Sequence, residues 1–423
     1  MAAQFWRLRS MQHWPDDVRR IVGGRLARAA DARLGAAEGE TLVEALSVDE
    51  LEQHRAEWRD LARRAVEPNP FMEPDFALIA MLHLPAGQRP IMAVVWQAVG
   101  LEPRARMIGV WGFEQGRFGA FGGVARTWKY KHSALGTPLI DRLAATRSVD
   151  AILDWLRERR LGQSALILRD LARGGEAAEL IADRCAAQGL VWTGMNEHER
   201  AALRQDPAAP SHQPNGPHSR KHTREMDRLA RRLSETGDVT VGSASDAADI
   251  RYAAEWFLAL EQAGWKGRRR TAFLSDAGDA AFLRAALRQL ARAGKCRIDW
   301  IAVDGRPIAM AIVLRSADRA YYWKTAYDER FARYSPGVQL TRTLAERQLA
   351  DPAVQITDSC AIANHPMIDR LWPNRQAMFD LLIGVDPARS RAFPGAVRRE
   401  RFARAMRQAV KTAANAALRR RVS

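Results

Sequence analysis

The sequence predicts a layered α/β fold (α+β in its arrangement), with mixed sheets flanked by helices, and it predicts this layer pattern twice along the chain. Apolar runs of strand length alternate with helical patterns in both halves, which is typical of domains that pack helices on sheets. The 423 residues also exceed the size of one ordinary core and indicate two or three domains.

Changes in composition divide the chain into five segments. A polar, proline-rich stretch separates the two halves, and a strongly basic helical pattern follows it. The predicted segments are a basic N-terminal extension (1–40), a first layered domain (41–203), a linker with a basic helix (204–236), a second layered domain (237–387) and a basic C-terminal tail (388–423).

Local signals predict the elements of the first half. Ser47 is expected to be a helix N-cap, because Glu50 three residues later completes a capping-box pattern. Apolar residues at helical spacing predict further helices around Ile152 and over 177–187. Buried strands are expected at 91–96, 107–113, 165–168 and 190–193.

The second half repeats the alternation more clearly. Asp304-Gly305 predicts a tight hairpin between two strands, at 296–303 and 308–315. Other strands are expected at 239–241, 320–324, 356–358 and 377–383. Helices are expected at 219–233, 247–263, 279–293, 336–349 and 366–371.

The chain is strongly basic, with a net charge of +16. Such a charge favours polyanionic partners, namely nucleic acid, anionic lipid or a phosphate-rich ligand, although an arginine-rich solvated surface is the alternative. In the tail from Arg389, Glu400 is the only acidic residue, and Phe402, Met406 and Val410 fall on one face of a predicted helix. That helix is expected to contact an anionic membrane surface or RNA phosphate, or to be a frayed, solvated tail.

Cysteine usage and hydropathy indicate the cellular compartment of the protein. Cys185, Cys296 and Cys360 lie far apart and show no zinc-ligand spacing, which predicts a reducing compartment and no metal site. Charged residues interrupt the N-terminal segment, and no run approaches about 18 charge-free apolar residues. We therefore expect a cytoplasmic protein. The sequence also lacks the nucleophile elbow, phosphate-binding loop and dinucleotide glycine patterns of hydrolases, NTPases and dehydrogenases.

A short motif before the helix at 336–349 predicts an anion site. Ser335 is expected to cap the helix, Pro336 suits its first position, and Gly337 lets a ligand approach the backbone beside Val338. Free amides at a helix N-terminus suit the pyrophosphate of coenzyme A. Lys324, at the end of the preceding strand, could bind phosphate or extend its charged end to solvent.

Clusters at 264–268, 327–337 and 358–367 resemble the GNAT-type acetyltransferases associated with bacterial cellulose and exopolysaccharide production. Those proteins are similar to the FemAB architecture, in which two GNAT-like domains stand in tandem. The resemblance covers about residues 45 to 385. It implies two tandem GNAT-like domains and an acetyl-CoA or other acyl-CoA donor. It departs from the family's pattern in lacking the usual glycine-rich pyrophosphate loop, which Ser335-Pro336-Gly337 would replace.

The implied reaction moves an acyl group to an amine or hydroxyl and needs a base and a polarised carbonyl. Asp328 and Glu329 are candidates for the general base or for binding a cationic amine. The alternative interpretation is that these carboxylates form ion pairs with Arg330 or Arg333. Asp358 is a candidate for orienting the nucleophile, or simply a helix cap.

Further candidates would bind the acceptor. Trp265 beside Lys266 and Arg268 offers a stacking surface next to positive charge, although a buried tryptophan is the ordinary alternative. His365 could transfer a proton or be a turn residue. Cys360 is expected to pack as a small apolar residue.

Three functions remain open from the sequence. The first is a GNAT-type acyltransferase acting on a small molecule or on a polysaccharide or cell-envelope precursor. The second is a FemAB-like transferase that uses aminoacyl-tRNA, which the positive charge favours. The third is a non-catalytic scaffold of a polysaccharide-synthesis assembly, docked on the membrane by the basic tail.

Overall fold

The computed structural model describes residues 39–99, 104–115, 123–158, 164–205 and 217–420. The predicted N-terminal extension therefore lies almost wholly outside the described residues. The strands are β1 (Thr41–Leu46), β2 (Ile91–Val99), β3 (Arg104–Phe113), β4 (Val124–Arg126), β5 (Leu139–Ile140), β6 (Ala165–Ala172), β7 (Trp192–Arg204), β8 (Val239–Ala244), β9 (Cys296–Val303), β10 (Arg306–Ser316), β11 (Arg319–Tyr327), β12 (Ile356–Asp358) and β13 (Asn374–Gly384).

The helices flank two sheets, which confirms the predicted mixed α/β class. They are α1 (Val48–Gln53), α2 (Arg55–Arg63), α3 (Pro74–Leu82), α4 (Ala145–Arg157), α5 (Glu176–Ala187), α6 (Pro217–Ser234), α7 (Ala247–Ala263), α8 (Trp265–Arg268), α9 (Ala277–Arg292), α10 (Pro336–Ala350), α11 (Ile368–Leu371) and α12 (Phe393–Arg420).

The smaller sheet belongs to the first half and has the order β1-β2-β3-β5. The Ser47 capping box at the start of α1 is confirmed, since the hydroxyl accepts from the Glu50 N–H and the Glu50 carboxylate accepts from the Ser47 N–H. Strand β1 was not predicted, because Ala, Leu and Glu favour helices locally. Its six-residue antiparallel pairing with β2 overrides that preference.

The larger sheet runs through both halves in the order β4-β6-β13-β7-β12-β11-β10-β9-β8. Within it, β4 pairs parallel with β6, and β11 pairs parallel with β12. Helix α4 precedes β6 as α10 precedes β12, and each parallel pair follows an antiparallel strand meander. The repeat expected from the sequence is therefore visible in the strand order.

Each half ends in a strand that pairs with the other half. Strand β13 lies between β6 and β7, and the last part of β7 pairs with β12. The strand predicted at 190–193 is the start of a longer strand, since β7 runs from Trp192 to Arg204. The charged residues in the middle of β7 do not form a strand-like pattern in the sequence. Pairing with β13 along most of its length stabilises β7 as a strand. The domain limits 41–203 and 237–387 stay a prediction.

The two halves also share an aromatic core. Phe76 of α3 packs edge-on against Phe282 of α9 at 5.2 Å and against Trp323 of β11 at 5.5 Å between ring centroids. Tyr130, also from the first half, contacts Phe282 at 4.8 Å. This core places the first half directly against the strand that carries the candidate site.

Local signals in the second half match the structure closely. Helix α7 and strand β9 have the predicted limits. Asp304 and Gly305 have φ of 49° and 73°, which are the two positive values that a tight two-residue hairpin turn needs. The tail forms α12, which packs against the body through buried Ala396 and Glu400.

Candidate functional site

The site begins where two parallel strands separate. Strands β11 and β12 pair only over three residues, the last pair being Tyr321 with Asp358. Beyond Tyr321, β11 continues to Tyr327 against β10, but within the described chain its other edge has no strand partner. An open strand edge of this kind offers backbone N–H and C=O groups to a ligand.

A cavity of about 500 Å³ lies beside this open edge. Its wall comes from the far part of β11, the start of α10, the end of α7 with α8, and the loop that follows β12. The lining is mostly apolar, as is usual for pockets that bind organic ligands. Lining residues include Leu260, Glu261, Trp265, Lys266, Met310, Tyr322, Thr325, Ala326, Tyr327, Ser335, Pro336, Gly337, Val338, Leu340, His365, Pro366 and Met367.

The start of α10 differs from the predicted cap. Ser335 holds the N-cap position and Pro336 the first helical position, as expected, but Ser335 is in the left-handed conformation (φ 51°, ψ 48°) and its side chain makes no capping bond. Its carbonyl accepts instead from the Val338 and Gln339 N–H groups, at 3.0 and 3.1 Å. Pro336 has no N–H, so among the described residues the Gly337 N–H remains the unpaired donor at this helix start.

Gly337 leaves room for a ligand at that point. A Cβ added there would come within 3.8 Å of the Tyr327 ring, an ordinary contact. The absence of a side chain therefore opens the helix start to the cavity without being needed for packing.

The opposite wall is held by a buried carboxylate. Glu261 accepts from the Lys266 ammonium at 2.8 Å and from the Phe273 N–H at 2.8 Å. Lys266 also donates to the Thr325 carbonyl of β11 at 3.0 Å. Lys266 thus ties α8 to β11. Gly267 is required in this short helix, because a Cβ would lie 1.8 Å from the Gln262 carbonyl oxygen.

Trp265 lines the cavity and remains 42% exposed. Its ring lies under the Arg269 guanidinium, 5.2 Å from the ring centroid, which forms a cation–π contact. The buried alternative for this tryptophan is therefore wrong, and its ring is available at the cavity rim.

Glu329 and Asp328 lie outside the cavity and are paired. Glu329 accepts from the Trp265 N–H at 2.7 Å and from Arg268 at 2.6 Å, so it positions α8. Asp328 is bound by the Arg330 guanidinium, whose hydrogen bonds lower the pKa of the carboxyl. The structure favours the interpretation in which Asp328 forms an ion pair with Arg330. Arg268, predicted to bind the acceptor, does not line the cavity.

Asp358 ends β12 in a buried position and does not line the cavity. Its carboxylate accepts from Arg200 of β7 and, at 2.9 Å, from the Cys360 N–H. Its expected role in orienting a nucleophile is therefore replaced in the structure by a link between the two halves.

Lys324 does not line the cavity. The structure therefore does not place it at the predicted phosphate-binding site beside Gly337. Its ammonium lies over the rings of Phe273 and Trp323 at 5.5 and 5.4 Å and donates to His132 Nδ1 at 3.4 Å. Burial, and next the charge of Lys266, lower the pKa of Lys324 to about 8. A β-bulge at this point in β11 shifts the side-chain alternation, which sequence spacing alone does not reveal.

His365 lines the cavity and also caps α11. Its Nδ1 accepts from the Met367 and Ile368 N–H groups, both at 3.4 Å, which leaves the proton of the neutral ring on Nε2. The turn role left open by the sequence is the one seen, and Nε2 remains for a ligand.

Two residues of the site, Tyr322 and Thr341, were not predicted from the sequence. The Tyr322 hydroxyl donates to Thr341 Oγ1 at 2.8 Å, and Thr341 donates to the Gly337 carbonyl at 2.7 Å. Burial raises the pKa of Tyr322, so this phenol stays protonated at neutral pH. The spacing of four residues between Gly337 and Thr341 was visible, but the partner on β11 was not.

Part of the chain is similar to a known family of domains. Residues 220–361, about a third of the chain, match the family model described as acetyltransferase (GNAT) domain. This part of the chain is therefore similar to GNAT acetyltransferase domains, and it includes the open edge of β11 and the start of α10. No curated protein matches the sequence of the chain.

Solved structures similar to the chain share little sequence with it. The C-terminal domain of a lysylphosphatidylglycerol synthetase homologue from Agrobacterium fabrum has 10% identity and a TM-score of 0.48, over 83% of this chain and 96% of that one. FemX has 11% sequence identity and a TM-score of 0.46, over 80% of this chain and 96% of that one. A tandem GNAT protein from the clavulanic acid biosynthesis pathway has 15% sequence identity and a TM-score of 0.37, over 82% of this chain and 99% of that one.

No group of three or more His, Cys, Asp or Glu side chains among the described residues could hold a metal ion. Across the same residues, none of the helices combines the length and the apolar character needed to cross a bilayer.

Proposed function

We propose that the cavity binds an acyl-coenzyme A thioester and that the protein transfers the acyl group to an amine or hydroxyl. The observation that carries this proposal is the separation of β11 from β12 directly beside the cavity. An open strand edge, an apolar wall and a helix start with a free N–H match the three parts of such a ligand: amides, an alkyl chain and a pyrophosphate.

Each part has a specific place. The two amides of the pantetheine arm can pair with the free edge of β11 as an added strand would. The Gly337 N–H and the positive end of the α10 dipole favour the pyrophosphate. The apolar lining takes the remaining chain, and the thioester then lies toward the point where the strands divide.

The chemistry requires little beyond positioning. The acceptor's lone pair attacks the thioester carbonyl carbon, an N–C or O–C bond forms, the C–S bond breaks, and the acceptor proton passes to the departing sulfur. Among the described lining residues, the carboxylate of Glu261 is already paired with Lys266. For an amine acceptor in its neutral form, proximity and orientation supply most of the rate. A hydroxyl acceptor would also need a base to take its proton.

The acceptor we propose is a sugar of a polysaccharide or cell-envelope precursor. This follows from the family resemblance of the sequence, and the exposed Trp265 ring beside Arg269 suits stacking on a sugar face. A second candidate donor is aminoacyl-tRNA, which the net charge of +16 favours.

Calorimetry with coenzyme A, acetyl-CoA and aminoacyl-tRNA tests the proposal. We expect coenzyme A to bind and Gly337→Asp to weaken that binding at least tenfold. Salt-sensitive binding of tRNA in the absence of coenzyme A binding would replace the first candidate by the second. Binding of neither donor would overturn the enzymatic proposal and leave a scaffold role.

A further inference from the structure

The C-terminal helix α12 exposes a row of large apolar side chains. Phe402, Met406 and Val410 are 68%, 50% and 64% exposed. Their spacing of four residues places them on one stripe of the helix. Three exposed apolar side chains in a row are unusual on a water-facing surface, where single ones are ordinary.

The orientation of this stripe is fixed by the other face of the helix. Ala396 and Glu400 are buried against the body, and Glu400 accepts from Arg126 of β4 and from Arg407. Because Arg126 belongs to the body, its ion pair with the buried Glu400 carboxylate holds α12 in one rotational setting. The apolar stripe therefore faces outward because of the fold.

The positive charge of the chain is concentrated in the same segment. From residue 388 to the end there are eleven basic residues and one acidic residue, which accounts for ten of the sixteen net positive charges. Arg398 and Arg401 are exposed on α12. On a helical projection they flank the stripe on the side of Phe402 that is away from the body.

We infer that the outer face of α12 docks on an anionic lipid surface. The arginines match anionic head groups, and the stripe matches the apolar layer just below them, with the helix lying parallel to the membrane plane. Nucleic acid would satisfy the arginines but would give Phe402, Met406 and Val410 no apolar environment. The inference is independent of the proposed donor site.

Vesicle co-sedimentation of the full chain tests this surface. Vesicles of phosphatidylcholine with phosphatidylglycerol are compared with vesicles of phosphatidylcholine alone. We expect binding to the mixed vesicles only, and a loss of at least tenfold in affinity in the Phe402→Ser, Met406→Ser, Val410→Ser variant. The matched control is Leu143→Ser, since Leu143 is 78% exposed on the first half.

A second variant keeps the test decisive if the triple variant fails to fold. Arg398→Gln with Arg401→Gln leaves the stripe intact and is expected to weaken binding to the mixed vesicles, more so at low salt. The inference would be overturned if salt abolished vesicle binding completely and the triple serine variant bound as well as the parent. Binding to RNA without vesicle binding, or self-association through the stripe without vesicle binding, would also overturn it.

Discussion

The guanidinium of Arg200 donates to the carboxylate of Asp358, and both side chains are buried. Arg200 comes from β7 of the first half, and Asp358 is the last residue of β12 in the second. Asp358 also forms the last residue pair before β11 and β12 separate. One ion pair therefore joins the two halves at the point where β11 and β12 separate.

Breaking this pair on one side is expected to destabilise the protein strongly. Asp358→Leu would leave the Arg200 charge buried without its partner and should cost about 3–5 kcal/mol of unfolding free energy. Urea unfolding measures this change. Replacing both residues, as Arg200→Met with Asp358→Leu, should recover a large part of the loss. An equally large loss in the exposed Arg228–Glu225 pair would argue against burial as the cause.

Gly337 is expected to control donor binding without affecting the fold. Gly337→Asp places a negative charge at the helix start where we propose the pyrophosphate, and should weaken coenzyme A binding at least tenfold, about 1.4 kcal/mol. Gly337→Ala is the matched control, since its Cβ finds only an ordinary contact with Tyr327. Similar coenzyme A affinity in both variants, measured by calorimetry, would place the pyrophosphate elsewhere.

Lys324 is expected to make stability depend on pH above neutrality. Its pKa is about 8 in the folded chain, against about 10.4 for an unperturbed lysine. Between these values the unfolded chain binds more protons, so stability rises as the pH increases from about 8 to 10.4. Below that window the buried charge costs stability.

The variant Lys324→Met isolates this effect. It should be more stable than the parent at pH 7 by about 1–3 kcal/mol, because one pKa unit corresponds to about 1.4 kcal/mol. The difference between the two proteins should shrink toward pH 10.4 in thermal or urea unfolding. A difference that stays constant with pH would mean that packing rather than charge sets it.

The adjacent carboxylates Asp328 and Glu329 should behave differently. Glu329→Ala removes the acceptor of the Trp265 N–H and should loosen α8, raising the KM for the donor several-fold. Asp328→Ala removes the pair with Arg330 and the side-chain bond to the Arg330 N–H. Because neither contact lies in the cavity lining, this variant should leave kcat close to that of the parent and raise KM less than Glu329→Ala does. A large fall in kcat for Asp328→Ala would restore the general-base role expected from the sequence.

The sequence predicts best where structure is set by near neighbours in the chain. Helix α7, strand β9 and the Asp304-Gly305 turn depend on local spacing and backbone preference, and all three appear as expected. Strand β7 was misjudged because its partner β13 lies about 180 residues later, as their register shows.

The candidate site divides in the same way. The motif around Pro336 and Gly337 was visible, because helix starts have local signatures. The pairing of Asp358 with Arg200, and the bulge that places Lys324 away from the cavity, arise from contacts between distant strands. No spacing within one segment encodes such contacts.

The position of β13 has a consequence for how the chain is made. The ribosome completes β6 at Ala172, but the neighbour that covers its open edge ends only at Gly384. At about 5–20 residues per second, that edge waits roughly 10–40 s for its partner. Throughout this interval the nascent first half carries an unpaired strand able to join with other chains. Newly made protein should therefore depend on chaperones until translation has passed the last strand.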